Sequence, residues 1–335
     1  MKKKYLLLLI RLVVSFGLIG YFLYVLAQKY GGLGEALEKF AASFSNASFQ
    51  WLIPAFFLHL VGFSLVTLRW QILLKAQGVK TTFRQLFAFY FMSAFFNTFL
   101  PSTIGGDAVR ALESKKLTGS TSTSVMVVII ERLTGLMALV LIIAAALFIK
   151  VAGDAAAKKT IVFFIAAVLG GFLLAIWLLH PKVSPSILGF LKKVLPAGIY
   201  HFLEQAHAAV AVYYSRPAAL FSALGVSIIF QLSMVLYYFL IASALHQNPG
   251  VVDFMMKVPI VIFLLMTIPA INGLGVRTAS FKGLMDFPAA YAMTLECIDL
   301  VFRVGYGLLG GLLFLLYRRG SPKEPPSLPL RPNVV

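Results

Sequence analysis

The chain has 335 residues, of which 60% are hydrophobic and 12% charged, with a mean hydropathy of +0.91 and a formal net charge of +17. Soluble domains carry about 25% charged residues, so the composition excludes a soluble globular protein and specifies an all-α polytopic membrane protein. The positive charge reads as the positive-inside rule plus attraction to anionic headgroups. No basic soluble module is present, so no nucleic-acid partner is expected. The single cysteine, Cys297, excludes an internal disulfide and a cysteine metal cluster, and the five histidines form no i,i+4 pair. No metal and no cofactor is expected.

Taken in order, the first span covers about 5–27, interrupted by Arg11. Its basic start and Val25-Leu26-Ala27 imitate a signal peptide, but the apolar run is too long for one and reads as an uncleaved span. Span two covers about 50–68 and closes at Arg69. An apolar run at 85–100 leads into a first break, and the polar patch 113–123 ends that hairpin. Ser122 or Ser124 is placed to cap the next helix, about 124–149, which carries Glu131-Arg132. Further spans are read at about 160–180, 217–245 and 288–317. Residues 185–216 alternate apolar and basic character, which suits a cytoplasmic interfacial segment or a plain connector. The run 258–271 is too short to cross, because 14 helical residues reach about 21 Å against a core of about 30 Å. The last span is rich in glycine (Gly305, Gly307, Gly310, Gly311), which permits close helix contact. The membrane domain thus covers 1–317, and the Pro-rich tail 318–335 reads as disordered and cytoplasmic.

Two stretches break the apolar pattern in the same way. Pro101-Ser102-Thr103-Ile104-Gly105-Gly106-Asp107-Ala108-Val109-Arg110 follows one apolar run, and Pro269-Ala270-Ile271-Asn272-Gly273-Leu274-Gly275-Val276-Arg277 follows another. Backbone left unpaired by a broken helix survives at membrane depth only inside protein or facing a wet cavity. Two such breaks in corresponding halves predict discontinuous helices meeting at a binding site. Charge distribution sets the topology. With both breaks re-entrant from opposite faces, eighteen lysines and arginines lie inside and seven outside; if 85–100 crosses instead, the counts become twelve and thirteen. The positive-inside rule prefers the first. The prediction is six full transmembrane helices plus two oppositely oriented re-entrant hairpins, a pseudo inverted repeat, in the plasma membrane with both termini cytoplasmic.

Several ionisable residues fall inside apolar segments, where each costs about 2.5–3.5 kcal/mol at a helix centre. Four acids (Asp107, Glu131, Glu296, Asp299) match four arginines (Arg110, Arg132, Arg277, Arg303), which suggests mutual pairing. For Glu131, Arg132, Glu296, Asp299 and Arg303 a structural ion-pair role stands beside a functional one. Arg110 and Arg277 follow glycine breaks where new helices start. There the free N–H groups and the helix dipole favour an anion, and the arginine fork grips phosphate through two hydrogen bonds. Gly105, Gly106, Gly273 and Gly275 would let backbone approach a ligand unobstructed. Gly105-Gly106-Asp107 matches the start of a cyclase signature, but no soluble domain surrounds it. No Walker loop and no Ser-His-Asp constellation is present, so neither nucleotide-driven transport by this chain alone nor serine hydrolysis is expected. The histidines, His59 among them, read as interface or packing residues.

Those two break motifs, with Glu131-Arg132 between them, resemble the flippase-like membrane domain of lysylphosphatidylglycerol synthases and its stand-alone relatives, over roughly residues 5–318. In the family an acid usually follows the second arginine; here Thr278 does. Two-domain members attach lysine to phosphatidylglycerol in a soluble C-terminal domain and move the product with the membrane domain. The sequence ends at Val335 without a synthase domain, so transferase activity is not expected. The resemblance implies translocation of a phospholipid or other lipid-phosphate, with Asp107, Arg110 and Arg277 as the headgroup site. Expected partners are membrane lipids (an anionic or aminoacylated phospholipid, or a polyprenyl phosphate). A separate synthase or glycosyltransferase partner and a homodimer are left open. The rival readings are a membrane enzyme acting on such a lipid, with Asp107 or Glu131 as base, and an accessory subunit that docks a synthase.

Overall fold

A computed structural model describes residues 45–99, 104–150, 196–247, 250–267 and 276–320, with scattered positions between 27 and 42 and at 166 and 170. These residues form nine helices: α1 (Phe49–Ala76), α2 (Phe83–Phe99), α3 (Ile104–Thr118), α4 (Thr121–Lys150), α5 (Ala197–Ser215), α6 (Pro217–Ala244), α7 (Val251–Thr267), α8 (Val276–Met285) and α9 (Ala289–Gly320). Four are long and apolar enough to cross a membrane: α1, α4, α6 and the segment Tyr291–Leu316 of α9. The expected spans at 5–27 and 160–180, the tail beyond Gly320, and Gly273 and Gly275 lie outside the described residues.

The second half repeats the first at constant register. Helices α6, α7 and α9 begin at Pro217, Val251 and Ala289, against Phe49, Phe83 and Thr121 for α1, α2 and α4. The differences 217 − 49, 251 − 83 and 289 − 121 are all 168. α1 packs along its counterpart α6, α2 packs on α9, and α7 packs on α4. The amide of Ser48 donates to Ala244 O at 2.9 Å, and Arg216 Nη1 donates to Ala76 O at 2.8 Å. These two bonds tie opposite ends of α1 and α6 together, so the equivalent helices run antiparallel, as an inverted repeat requires.

The two short hairpins are α2–α3 and α7–α8. α2 and α7 have 17 residues each, about 25 Å of helix, less than the hydrocarbon core of about 30 Å. Several expected boundaries shift for identifiable reasons. α1 does not close at Arg69 but continues to Ala76, because Arg69 is buried against a carboxylate partner. Together with Arg110, also buried, it leaves the loop charge count; without both the counts are sixteen to seven and eleven to twelve, and the preference is unchanged. The run read as 258–271 is helix from Val251, with Pro259 inside it. Asp253 sits in its first turn, where a negative charge is favourable, and bonds Lys150 Nζ at 2.5 Å.

The polar patch 113–123 is in fact a tight junction. α3 runs to Thr118, and Gly119 turns the chain with φ +71°, a conformation glycine adopts without a Cβ penalty. Ser120, and neither Ser122 nor Ser124, caps α4: its Oγ accepts the Thr123 amide at 3.3 Å. Ser122 and Ser124 are buried in the first turn instead. Gly310 and Gly311 of α9 lie against a neighbour. A Cβ on Gly310 would strike the carbonyl of Phe91, and one on Gly311 the ring of Phe95, whereas Gly305 faces open space. α2 thus lies almost backbone to backbone on α9.

Candidate functional site: an arginine-walled cavity between two charge clusters

The first cluster joins α3, α4, α1 and α6. The Gly106 amide, in the first turn of α3, donates to Asn97 Oδ1 on α2 at 2.8 Å, and a Cβ on Gly106 would collide with that side chain. Gly105 lies in the same turn. One turn on, Arg110 bonds Glu131 and lies 3.5 Å from Asp107. Arg132 bonds Asp107. Arg69 donates to Glu131 Oε1 at 2.8 Å and to Ser227 Oγ at 2.9 Å. A side chain at Gly135 would press on Arg69 Nη1 at 3.0 Å. The Arg110 guanidinium lies 4.8 Å from the Trp70 ring centroid and 5.3 Å from that of Tyr90. Such cation–π contacts help offset the cost of burying a charge.

The second cluster joins α8, α9 and α6. Asp299, fully buried, lies 3.1 Å from Arg277 Nη1 and 2.8 Å from Arg303 Nε. Tyr237 donates to Asp299 Oδ1 at 3.0 Å, and Arg277 Nε donates to the Tyr238 hydroxyl oxygen at 3.2 Å. Glu296 accepts the Thr278 amide at 3.0 Å and also the Thr278 hydroxyl. Glu296 therefore acts as the anion at the N-terminus of α8. Thr278 is the partner that holds it there.

The repeat extends to these side chains. Asp299 stands 168 residues after Glu131 (299 − 131), and Tyr237 stands 168 after Arg69 (237 − 69). In each half the α1-type helix thus donates to the acid of the α4-type helix. His59 stacks against Tyr306 at 5.2 Å and sits 5.0 Å from Tyr237; its register mate, Ser227 (227 − 59 = 168), contacts Arg69.

Between the clusters lies a cavity of about 290 Å³. Asn97 and Thr98 reach it from the end of α2, and Ile262, Leu265 and Met266 from the end of α7. The ends of α2 and α7 therefore border one space. Arg132, Arg277 and Arg303 are in its wall, and among the described residues no carboxylate is. Arg277 Nη2 is buried without a hydrogen-bond partner among the described residues, and so is His59 Nδ1. Both residues line the cavity.

The sequence-predicted residues therefore separate. Arg277 lines the cavity. Arg110 and Asp107 do not; Arg110 sits behind Tyr90, which does. Arg132 and Arg303, expected to act as ion-pair supports, make their pairs and also form wall. Glu131, Glu296 and Asp299 lie buried behind it. The predicted parity of four acids and four arginines is corrected by Arg69, a fifth arginine in the first cluster. Arg69 escaped the sequence reading because it resembled a helix-ending charge, although an arginine followed directly by Trp70 and a further apolar turn is a poor helix end. Tyr237 and Tyr238 carried no charge to mark them. His59 packs as read, and its stacked ring also forms wall.

A family model described as the lysylphosphatidylglycerol synthase TM region matches residues 8–311. No curated protein and no solved structure matches the chain.

Proposed function

The chain belongs to the lysylphosphatidylglycerol synthase transmembrane family, and from that premise we propose that it translocates a phospholipid or other lipid-phosphate between leaflets, with the headgroup in the arginine-walled cavity. The observation that carries this reading is the combination of Arg132, Arg277 and Arg303 in the wall with no facing carboxylate among the described residues. A phosphate is the anion that such forks bind best. The cavity is near the lower edge of ordinary ligand sites, roughly 300–1,000 Å³, which suits a headgroup and leaves acyl chains in the bilayer. Burying a polar head inside protein removes the main barrier to crossing hydrocarbon. No step in this scheme uses nucleotide hydrolysis.

The proposed orientation keeps both termini cytoplasmic in the plasma membrane, with the hairpins entering from opposite faces. The antiparallel run of α1 and α6 supports the entry from opposite faces, and the charge count supports the cytoplasmic termini. The test is leaflet exchange of fluorescent phospholipid by purified protein in liposomes. Exchange above protein-free vesicles is expected. New lipid products in place of exchange would favour a membrane enzyme, and no effect until a synthase is added would favour an accessory subunit.

A further inference from the structure

The two clusters are not electroneutral. Among the described residues they contain Arg69, Arg110, Arg132, Arg277 and Arg303 against Asp107, Glu131, Glu296 and Asp299, an excess of one positive charge (5 − 4 = 1). The excess is placed unevenly. Every one of these carboxylates sits behind an arginine or at the start of α8, and of the nine groups only Arg132, Arg277 and Arg303 line the cavity. Arg277, a wall residue, keeps its Nη2 buried and without a hydrogen-bond partner among the described residues, so one donor is left over for an occupant. The rest of the polar wall includes uncharged groups: the Asn97 amide and the Thr98 and Tyr90 hydroxyls.

We infer that the site selects a phosphodiester monoanion whose alcohol is uncharged and hydroxyl-bearing, and excludes headgroups that carry an ammonium. One negative charge matches the excess of one. The hydroxyls and the amide can exchange hydrogen bonds with a polyol. An ethanolamine or aminoacyl ammonium in the same space would meet three guanidinium groups and no carboxylate, an arrangement that discriminates by repulsion. This inference rests on the translocation reading for its physiological meaning, but binding alone can test it.

The probes are phosphatidylglycerol, phosphatidylethanolamine and lysyl-phosphatidylglycerol. Native mass spectrometry of the full chain in detergent reads which lipid is retained from an equimolar mixture, and the same three lipids with an acyl-chain fluorophore report leaflet exchange. Phosphatidylglycerol should be favoured at least about tenfold in both. Asn97→Asp keeps an oxygen for the Gly106 amide while adding a carboxylate to the wall, and should reduce that preference to about threefold or less. Met266→Glu does the same from the α7 side and serves if Asn97→Asp fails to fold. Equal or greater retention of the ammonium-bearing lipids by the native chain, or an unchanged preference in both folded variants, overturns the inference. Selective retention with no exchange of any lipid would remove translocation and leave selectivity standing. Exchange of all three lipids with no selective retention would do the opposite.

Discussion

The two hairpins open on helices at the same register, α2 and α7, and differ in electrostatic design. In the first, two carboxylates, Asp107 and Glu131, serve three arginines, and Arg110 is enclosed between Trp70 and Tyr90. In the second, Asp299 serves both Arg277 and Arg303, while Glu296 is taken by the start of α8. Tyr237 stands where the first half has Arg69, so a neutral hydroxyl replaces a third cation. Both halves line the cavity, the first through Arg132 and the second through Arg277 and Arg303, but the arginine after the break is enclosed in the first and part of the wall in the second. A repeat can thus keep its backbone plan while one copy closes its arginine in and the other leaves it facing the cavity.

The sharpest way to break this comparison is at the acids. Glu131→Ala leaves Arg69 and Arg110 buried without their shared partner. Loss of one member of a buried pair costs about 3–5 kcal/mol, so thermal unfolding in detergent should show a large drop or no folded protein. A near-native midpoint would mean that the first cluster is hydrated and not an anchor. Next in size is the docking of the first hairpin. Gly310→Ala drives a Cβ into the Phe91 carbonyl, and overpacking of this kind costs about 1–3 kcal/mol. The same readout should show it, and the loss should be larger than for Gly305→Ala, which meets nothing.

Arg277→Ala sharpens the contrast from the other side. Asp299 retains Arg303 and Tyr237, so the fold should hold, while lipid exchange should fall at least tenfold, or about 1.4 kcal/mol. Arg277→Lys should recover little of it, because an ammonium lacks the planar fork. Arg110→Ala should show the reverse pattern, with stability falling more than exchange. The smallest effect is expected at the cap of α4. Ser120→Ala should cost about 1 kcal/mol in unfolding. The register mate is Pro288 (288 − 120 = 168), which has no side-chain acceptor, so Pro288→Ala removes no cap bond.

What the sequence disclosed, and what it hid, follow from the physics of each residue. The two breaks were legible because proline and glycine punctuate apolar runs locally. Four spans were legible because their length and hydropathy are local too. Helix ends were less so: Arg69 and Asp253 are charged residues whose partners, Glu131 and Lys150, lie 62 and 103 residues away. No window of sequence contains both members. The distinction between wall and support was hidden for another reason. Glu131 and Arg132 are adjacent, about 100° apart around α4, so one faces the core and the other the cavity. Which one faces which depends on the rotation of the helix in the bundle.

Leaflet exchange of fluorescent phosphatidylglycerol in liposomes containing either the native chain or Arg277→Ala, at matched reconstitution and verified folding, tests the central claim most directly. Rapid exchange by the native chain and a rate at least about tenfold slower in the variant are expected. Equal rates in the two, or no exchange by the native chain beyond that of empty vesicles, would contradict it.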